Sequence, residues 1–242
     1  MDLDSSLPEL ARTIGADYYG VADLAGVKEF IYAQGGDKVA RYPRAVVMGV
    51  RLLDTLVDLV EDPGDRTGAA LYRHFAYDVV NDALDVMALQ VAETLQREGY
   101  QALPVPASKR ESDELIAGVF SQKLAARLAG LGWIGKSCLL VTPDHGPRVR
   151  WISILTDAPL APTGKPMKER CGKCTACVDI CPVHAFTGRS FREDEPREAR
   201  FDAAACDRFF KELGAGGNPV VCGLCLFVCP HGRKGINRPK GK

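Results

Sequence analysis

The sequence predicts a mixed α/β (α+β) fold, with helices covering a sheet, followed by a small cysteine-dense module. Three observations predict it. Apolar residues recur at helical spacing across residues 69–97. Compact apolar runs such as RAVVMGVRL read as buried strands. Only Cys138 precedes residue 171, and the other eight of the nine cysteines lie between Cys171 and Cys229.

The elements follow in order. A first helix is expected to start near Ser5 or Ser6, with Pro8 and Glu9 in its first turn, and to end at Gly15. DYYGVADL reads as a short strand, and RAVVMGVRL as a buried one after a Pro-containing turn. EDPGDRTG is a loop by composition. The long helix over 69–97 carries Val80, Leu84, Met87, Val91 and Leu95 on one stripe, with Gly99 placed to end it. YQALPVP reads as an edge strand leaving through two prolines. SQKLAARLAG is a further helix, and CLLVTP and RVRWISILTD are two β segments around the turn PDHGP. From Ala161 the composition turns Pro, Gly and Lys rich, so the chain divides into domains 1–160 and 161–242. FREDEPREAR reads as a solvated loop, and the basic tail HGRKGINRPKGK as a frayed terminus.

Bulk properties exclude several classes. The chain has 242 residues with Lys+Arg and Asp+Glu both at 31, so no net field draws it to nucleic acid or membrane. MDLDSSLPEL has neither the basic nor the apolar region of a signal peptide, and no apolar run is long enough to span a bilayer. A cytoplasmic protein with no membrane partner is expected. Cytosolic thiols stay reduced, so the crowded cysteines point to metal ligation rather than disulfides.

The spacing of those cysteines is specific. Cys171, Cys174, Cys177 and Cys181-Pro182 form the C-x2-C-x2-C-x3-C-P run of two-cluster bacterial ferredoxins, in which three thiolates hold one cluster and the fourth crosses to the other. Cys222, Cys225 and Cys229-Pro230 form the second group. By the same rule Cys229 completes cluster 1 with Cys171, Cys174 and Cys177. Cluster 2 takes Cys181, Cys222 and Cys225, and Cys206 is the one module cysteine left to close it. Two [4Fe-4S] clusters then use eight ligands. Residues 207–221 read as an inserted, Gly-rich loop. A four-thiolate zinc site is the competing reading, and the full C-x2-C-x2-C-x3-C-P run argues against it.

AGLGWIGKS, residues 129–137, packs three glycines into six residues and is not a dinucleotide fingerprint. It is either a tight turn packed under Trp133 or a cofactor-facing loop. Cys138 beside it reads as a buried thiol, with a ligand or redox role as the sharper alternative. His184 stands beside a cluster ligand, where it can tune potential.

Taken together, EGYQALPVPAS, AARLAGLGWIGKS, ILTDAPL, the isolated Cys206 and the closing CGLCLFVCP resemble the epoxyqueuosine reductase family and the related core of reductive dehalogenases. The resemblance implies a nitroreductase-like sheet-and-helix domain fused to a two-cluster ferredoxin-like domain. It also implies cobalamin under the GLGWIGKS segment, with Trp133, Gly135, Lys136, Ser137 and Cys138 as contacts. An acidic proton donor is expected ahead of the GLGW turn. Ungapped counting places that position at Ile116, and Asp113 is the nearby candidate, beside Glu114. Tyr72 is a second candidate proton donor. The family's helical-repeat extension, which helps hold tRNA, has no counterpart in these residues, so a short form is expected.

The expected function is an oxidoreductase that takes electrons from an external low-potential donor of ferredoxin or flavodoxin type. Two clusters would pass them to a corrinoid that reduces a small-molecule or protein-bound substrate. The alternative is an electron-transfer or activating protein that reduces a partner's corrinoid or metal centre. The third reading is a tRNA epoxyqueuosine reductase.

Overall fold

The computed structural model describes residues 2–62 and 64–233. Most of the basic tail lies outside the described residues. The elements run α1 (Leu3–Thr13), β1 (Tyr18–Asp23), α2 (Lys28–Gly35), α3 (Asp37–Ala40), β2 (Arg44–Arg51), α4 (Asp54–Asp58), α5 (Arg66–Arg73), α6 (Val80–Arg97), β3 (Ala102–Val105), α7 (Gln122–Leu128), β4 (Trp133–Ile134), β5 (Leu140–Val141), β6 (Val149–Thr156), α8 (Ala176–Asp179), α9 (Ala203–Ala215) and α10 (Leu224–Phe227). The fold is mixed α/β, as the sequence predicts.

Contacts gather the chain into two compact units that alternate along it. One holds residues 1–50, 80–132 and 150–167, and the other 51–79, 133–149 and 168–242. Compactness therefore does not follow the single compositional boundary at 160. Residues 51–79 and 133–149 belong with the cysteines.

The first unit is built on a sheet of order β1-β2-β6-β3. β1 and β2 run antiparallel with Val21 opposite Val46, and β3 and β6 antiparallel with Leu103 opposite Leu155. α1 and α6 lay their apolar stripes on this sheet. Leu3, Leu7 and Ala11 meet Leu84, Met87, Val91 and Leu95 over Val46, Met48, Ile152 and Ile154. α1 begins earlier than the serines suggest, because Asp2 caps it by accepting from the Asp4 N–H at 3.2 Å. The presumed linker is strapped down. Thr163 Oγ1 accepts from the Val21 N–H at 3.0 Å and donates to the Ala129 carbonyl at 3.1 Å.

The long predicted helix is three pieces. Asp65 caps α5 by accepting from the Thr67 and Gly68 N–H groups, a π-helical turn spans His74–Val79, and α6 follows. CLLVTP and RVRWISILTD do not pair across their turn. β5 pairs with β4, whereas β6 enters the larger sheet. The reason is burial: β6 carries Trp151, Ile152, Ile154 and Leu155 all buried, a pattern that demands cover on both faces.

In the second unit the expected loop at 207–221 is mostly helix. α9 runs to Ala215, capped by Asp202, which accepts from the Ala205 N–H at 2.8 Å, and supported by Lys211–Asp207 at 2.9 Å. The glycine-rich stretch begins inside the last turn of α9, at Gly214, and continues through Gly216 and Gly217 beyond it. Phe186 and Phe201 stack at 5.1 Å and bring α9 beside the first cysteine group.

Candidate metal centre

All eight module cysteines are free thiols. Cys177 lies in α8, Cys206 in α9 and Cys225 in α10, with the others on the adjoining loops. Their mutual charge effects sort them. Burial pushes the Cys177 thiol up to about 11, helped by Cys229, Cys171 and Cys174. Burial also raises Cys229, whose thiol neighbours are Cys171 and Cys174. In the other set, burial takes Cys206 to about 11, with Cys222, Cys181 and Asp207 adding to it. Cys222 is raised by burial with Cys181 beside it. Cys225 is raised chiefly by burial, then by Cys222 and Cys206, with Cys177 and Cys181 after them. Four crowded acids resist ionising without a cation, and metal binding displaces their protons. Cys225 links the two groups, since Cys177 precedes Cys181 among its thiol neighbours. Among the described residues, no group of three or more His, Cys, Asp or Glu side chains is arranged to hold a single metal ion.

The loops that carry these thiols are held from outside. Gly223, between Cys222 and Cys225, adopts φ +85°, and a Cβ there would lie 2.8 Å from the Tyr72 ring. Only glycine combines that conformation with that approach. The Ala185 N–H donates to Cys181 Sγ at 3.3 Å. On the Cys171 side, Lys136 Nζ donates to the carbonyls of Gly172 at 2.8 Å and Cys174 at 3.2 Å. Burial raises the Cys171 thiol, and the Lys136 backbone N–H and the Trp133 indole N–H, both directed at its sulfur, pull the other way.

The residues expected at a corrinoid are thus turned into the cysteine module. Trp133 is 1% exposed, edge-on to His231 at 4.9 Å and under the Arg170 guanidinium at 5.4 Å. A Cβ on Gly135 would sit 2.8 Å from Val141 and 3.4 Å from Cys171 Sγ. Lys136, Ser137 and Cys138 are buried, and Cys138 takes φ +54° with the Arg200 guanidinium 3.9 Å from its sulfur. The segment is a packed turn, and its side chains present no face to a macrocycle.

Both catalytic candidates need correcting. Tyr72 is fully buried, against Gly223 and edge-on to Tyr77 at 5.8 Å, so its ring reaches a ligand loop and not a substrate. Asp113 is 96% exposed and paired with Arg110 at 2.8 Å, a carboxylate standing in water. The loop it belongs to borders a cavity of about 430 Å³ in the first unit, lined by Pro106, Lys109, Arg110, Ile116, Phe120 and Gln122 but not by Asp113. Ile116, the position reached by ungapped counting, has φ +48°, an outlier for a β-branched residue.

Sequence reading missed Arg148. It is wholly buried and ion-paired to Asp54 at 3.0 Å and Asp58 at 2.8 Å, and Gly232 lies against its side chain. An arginine in an otherwise apolar segment carries no local signal of partners ninety residues upstream.

Comparison with known proteins agrees with this geometry. Residues 170–232 match the family described as a 4Fe-4S double cluster binding domain. The epoxyqueuosine reductase of Pseudomonas aeruginosa is 33% identical, the match covering 100% of this chain and 65% of that protein. That of Vibrio cholerae is 24% identical over 96% of this chain and 62% of its own. For the enzyme of Bacillus cereus the match covers 48% of this chain and 30% of that one, at 29% identity. The chain therefore spans between about a third and two thirds of the length of these relatives. Among solved structures, epoxyqueuosine reductase from Bacillus subtilis superposes with TM-score 0.62 at 21% identity, covering 96% of this chain and 66% of that one. A catabolic reductive dehalogenase superposes with TM-score 0.64 at 21% identity, covering 93% and 31%. The chain thus carries a 4Fe-4S double cluster binding domain and is similar along its whole length to epoxyqueuosine reductases.

Proposed function

We propose that the chain is an iron–sulfur oxidoreductase in which Cys171, Cys174, Cys177 and Cys229 hold one [4Fe-4S] cluster and Cys181, Cys206, Cys222 and Cys225 hold the other. The observation that carries this reading is the gathering of eight free thiols in one unit whose residues 170–232 match a 4Fe-4S double cluster binding domain. A second observation tests the fit. The Trp133 indole N–H is buried at the Cys171 sulfur and has no full hydrogen-bond partner among the described residues, which is what a donor meant for a cluster sulfur looks like. Bound clusters would supply one-electron transfer. The chain's own part is to hold the ligand loops, through Lys136, Gly223 and Tyr72.

A corrinoid acceptor is the finer proposal. Its support is a neighbour of TM-score 0.63 whose structure is described as suggesting a mechanism for B12-dependent dehalogenation. Trp133, Gly135, Lys136, Ser137 and Cys138 are packed into the cysteine module and do not fit as its seat. Their burial favours the second reading, an electron-transfer or activating protein that serves a partner's centre. A tRNA substrate is the third, supported by a neighbour of TM-score 0.58 solved with a tRNA-Tyr stem loop. An external low-potential donor is required by each.

Anaerobically purified protein should be brown and hold about eight irons. Cys206→Ser should lose about half of them and spare the Cys171 set. Stoichiometric zinc without iron ends the cluster reading. Anaerobic calorimetry with cobalamin then separates the first two functions: tight binding supports the internal acceptor, and no binding supports the partner reading.

A further inference from the structure

The two thiol sets differ in the charges and donors around them. At the Cys171 set stands an ammonium, Lys136 Nζ, fixed on the Gly172 and Cys174 carbonyls within the ligand loop itself. Two N–H groups from the same turn, the Lys136 backbone and the Trp133 indole, bear on Cys171 Sγ, and the Glu169 carboxylate bears on it in the opposite sense. The indole is the donor that finds no full partner in protein. The turn can come this close because Gly135 has no Cβ to press on the sulfur and Val141. Arg170 adds a second cation over the indole. Backbone N–H groups of His231 and Gly232 serve Cys229.

The Cys206 set has a poorer supply. Cys181 receives the Ala185 N–H, and Cys222 the Leu224 N–H. A carboxylate, Asp207, bears on Cys206, and its partner Lys211 is on the same helix at 2.9 Å; each set thus has one carboxylate, and the Cys171 set alone has the Lys136 ammonium fixed on its ligand loop. Reduction adds an electron to a cluster. Nearby cations and N–H donors to sulfur favour the reduced form and raise the potential, whereas a carboxylate opposes it.

We propose that Lys136 and Trp133 set the potential of the cluster held by Cys171, Cys174, Cys177 and Cys229, keeping it above that of the cluster held by Cys181, Cys206, Cys222 and Cys225. The GLGWIGK turn is then a redox-tuning device for the module. This inference rests on the two-cluster reading.

The test is anaerobic redox titration of the full chain, reconstituted with iron and sulfide and followed by electron paramagnetic resonance. Cys206→Ser, which keeps the Cys171 set, identifies that cluster's signal. In the native chain this signal should appear at the higher potential. Lys136→Met should shift it downward and leave the other signal in place, Trp133→Phe should shift it downward by less, and Lys136→Arg should restore most of the native value. Should Lys136→Met fail to hold iron at that set, Trp133→Phe carries the test. Intact clusters with an unmoved potential in Trp133→Phe, or the two clusters moving together in either variant, overturn the proposal. So does a native chain in which the Cys171 cluster has the lower potential. A chain that binds no iron overturns the cluster reading itself, a result told apart by iron and sulfide content alone.

Discussion

Around α6 the first unit buries leucine, methionine, valine and isoleucine from two helices and a sheet in one continuous cluster. Around Cys181 the packing cluster contains Cys181, Ala185 and Phe186, with Val178, Val183, Phe201 and two further cysteines only partly buried against it. The helices differ in the same way. α6 has eighteen residues, whereas α8 and α10 have four each. Burial of apolar side chains can hold the first arrangement unaided, at about 1.5–3 kcal/mol for each large side chain. The cysteine loops have little such surface, and structure of that kind depends on metal binding for its folding free energy.

The largest effect should come from removing the metal. Anaerobic chelation should let amides of residues 168–233 exchange with solvent while those of α6 stay protected in a hydrogen-exchange measurement. Equal protection in both regions would break the comparison. Next, Leu84→Ala should lower stability by about 2–5 kcal/mol in denaturant unfolding, through the cavity it leaves in the α6 core, with iron content unchanged in the folded protein. Iron lost in proportion to stability would show that the two units are not distinguishable by this means. Gly223→Ala should cost about 1–3 kcal/mol because φ +85° disfavours a Cβ. The loss should fall on iron held by the Cys206 set, and its cost should be non-additive with Tyr72→Leu, since the new methyl meets the Tyr72 ring. Additive costs would deny that contact. The smallest change, Asp202→Ala, removes the α9 cap at about 0.5–2 kcal/mol, read as a shift in thermal unfolding of the module. An unchanged transition would mean that the ligands, not the cap, position Cys206.

What could be read from the sequence was local. The cysteine groups declare themselves because a ligand loop must place its thiolates within a few residues. The stripe from Leu84 to Leu95 and the apolar run of β2 likewise need only their own spacing. The errors arose where distant residues decide. The Gly-rich end of α9 suggested a loop, but Asp202 five residues before Asp207 had already committed the chain to a helix. β5 and β6 are sequence neighbours across a turn, yet one pairs with Trp133–Ile134 and the other joins the larger sheet. The family resemblance implied that Lys136 and Trp133 are cofactor contacts, and the glycines around them allow a close approach. The approach is real, but what comes close is Cys171, thirty-odd residues downstream.

The alternation of the two units along the chain also sets an order of events during synthesis. Every segment of the first unit has been synthesised by residue 167. With the ligand sets proposed above, neither cluster has four thiolates until residues 222–229 appear: one set waits for Cys229, the other for Cys222 and Cys225. A nascent chain therefore exposes incomplete, oxidisable thiol groups from Cys171 onward, while the segments at 51–79 and 133–149 wait for the rest of their unit. Iron delivery has to follow synthesis of Cys222, Cys225 and Cys229. A pause within codons 182–221 would lengthen the interval in which oxygen, not iron, reaches those cysteines first.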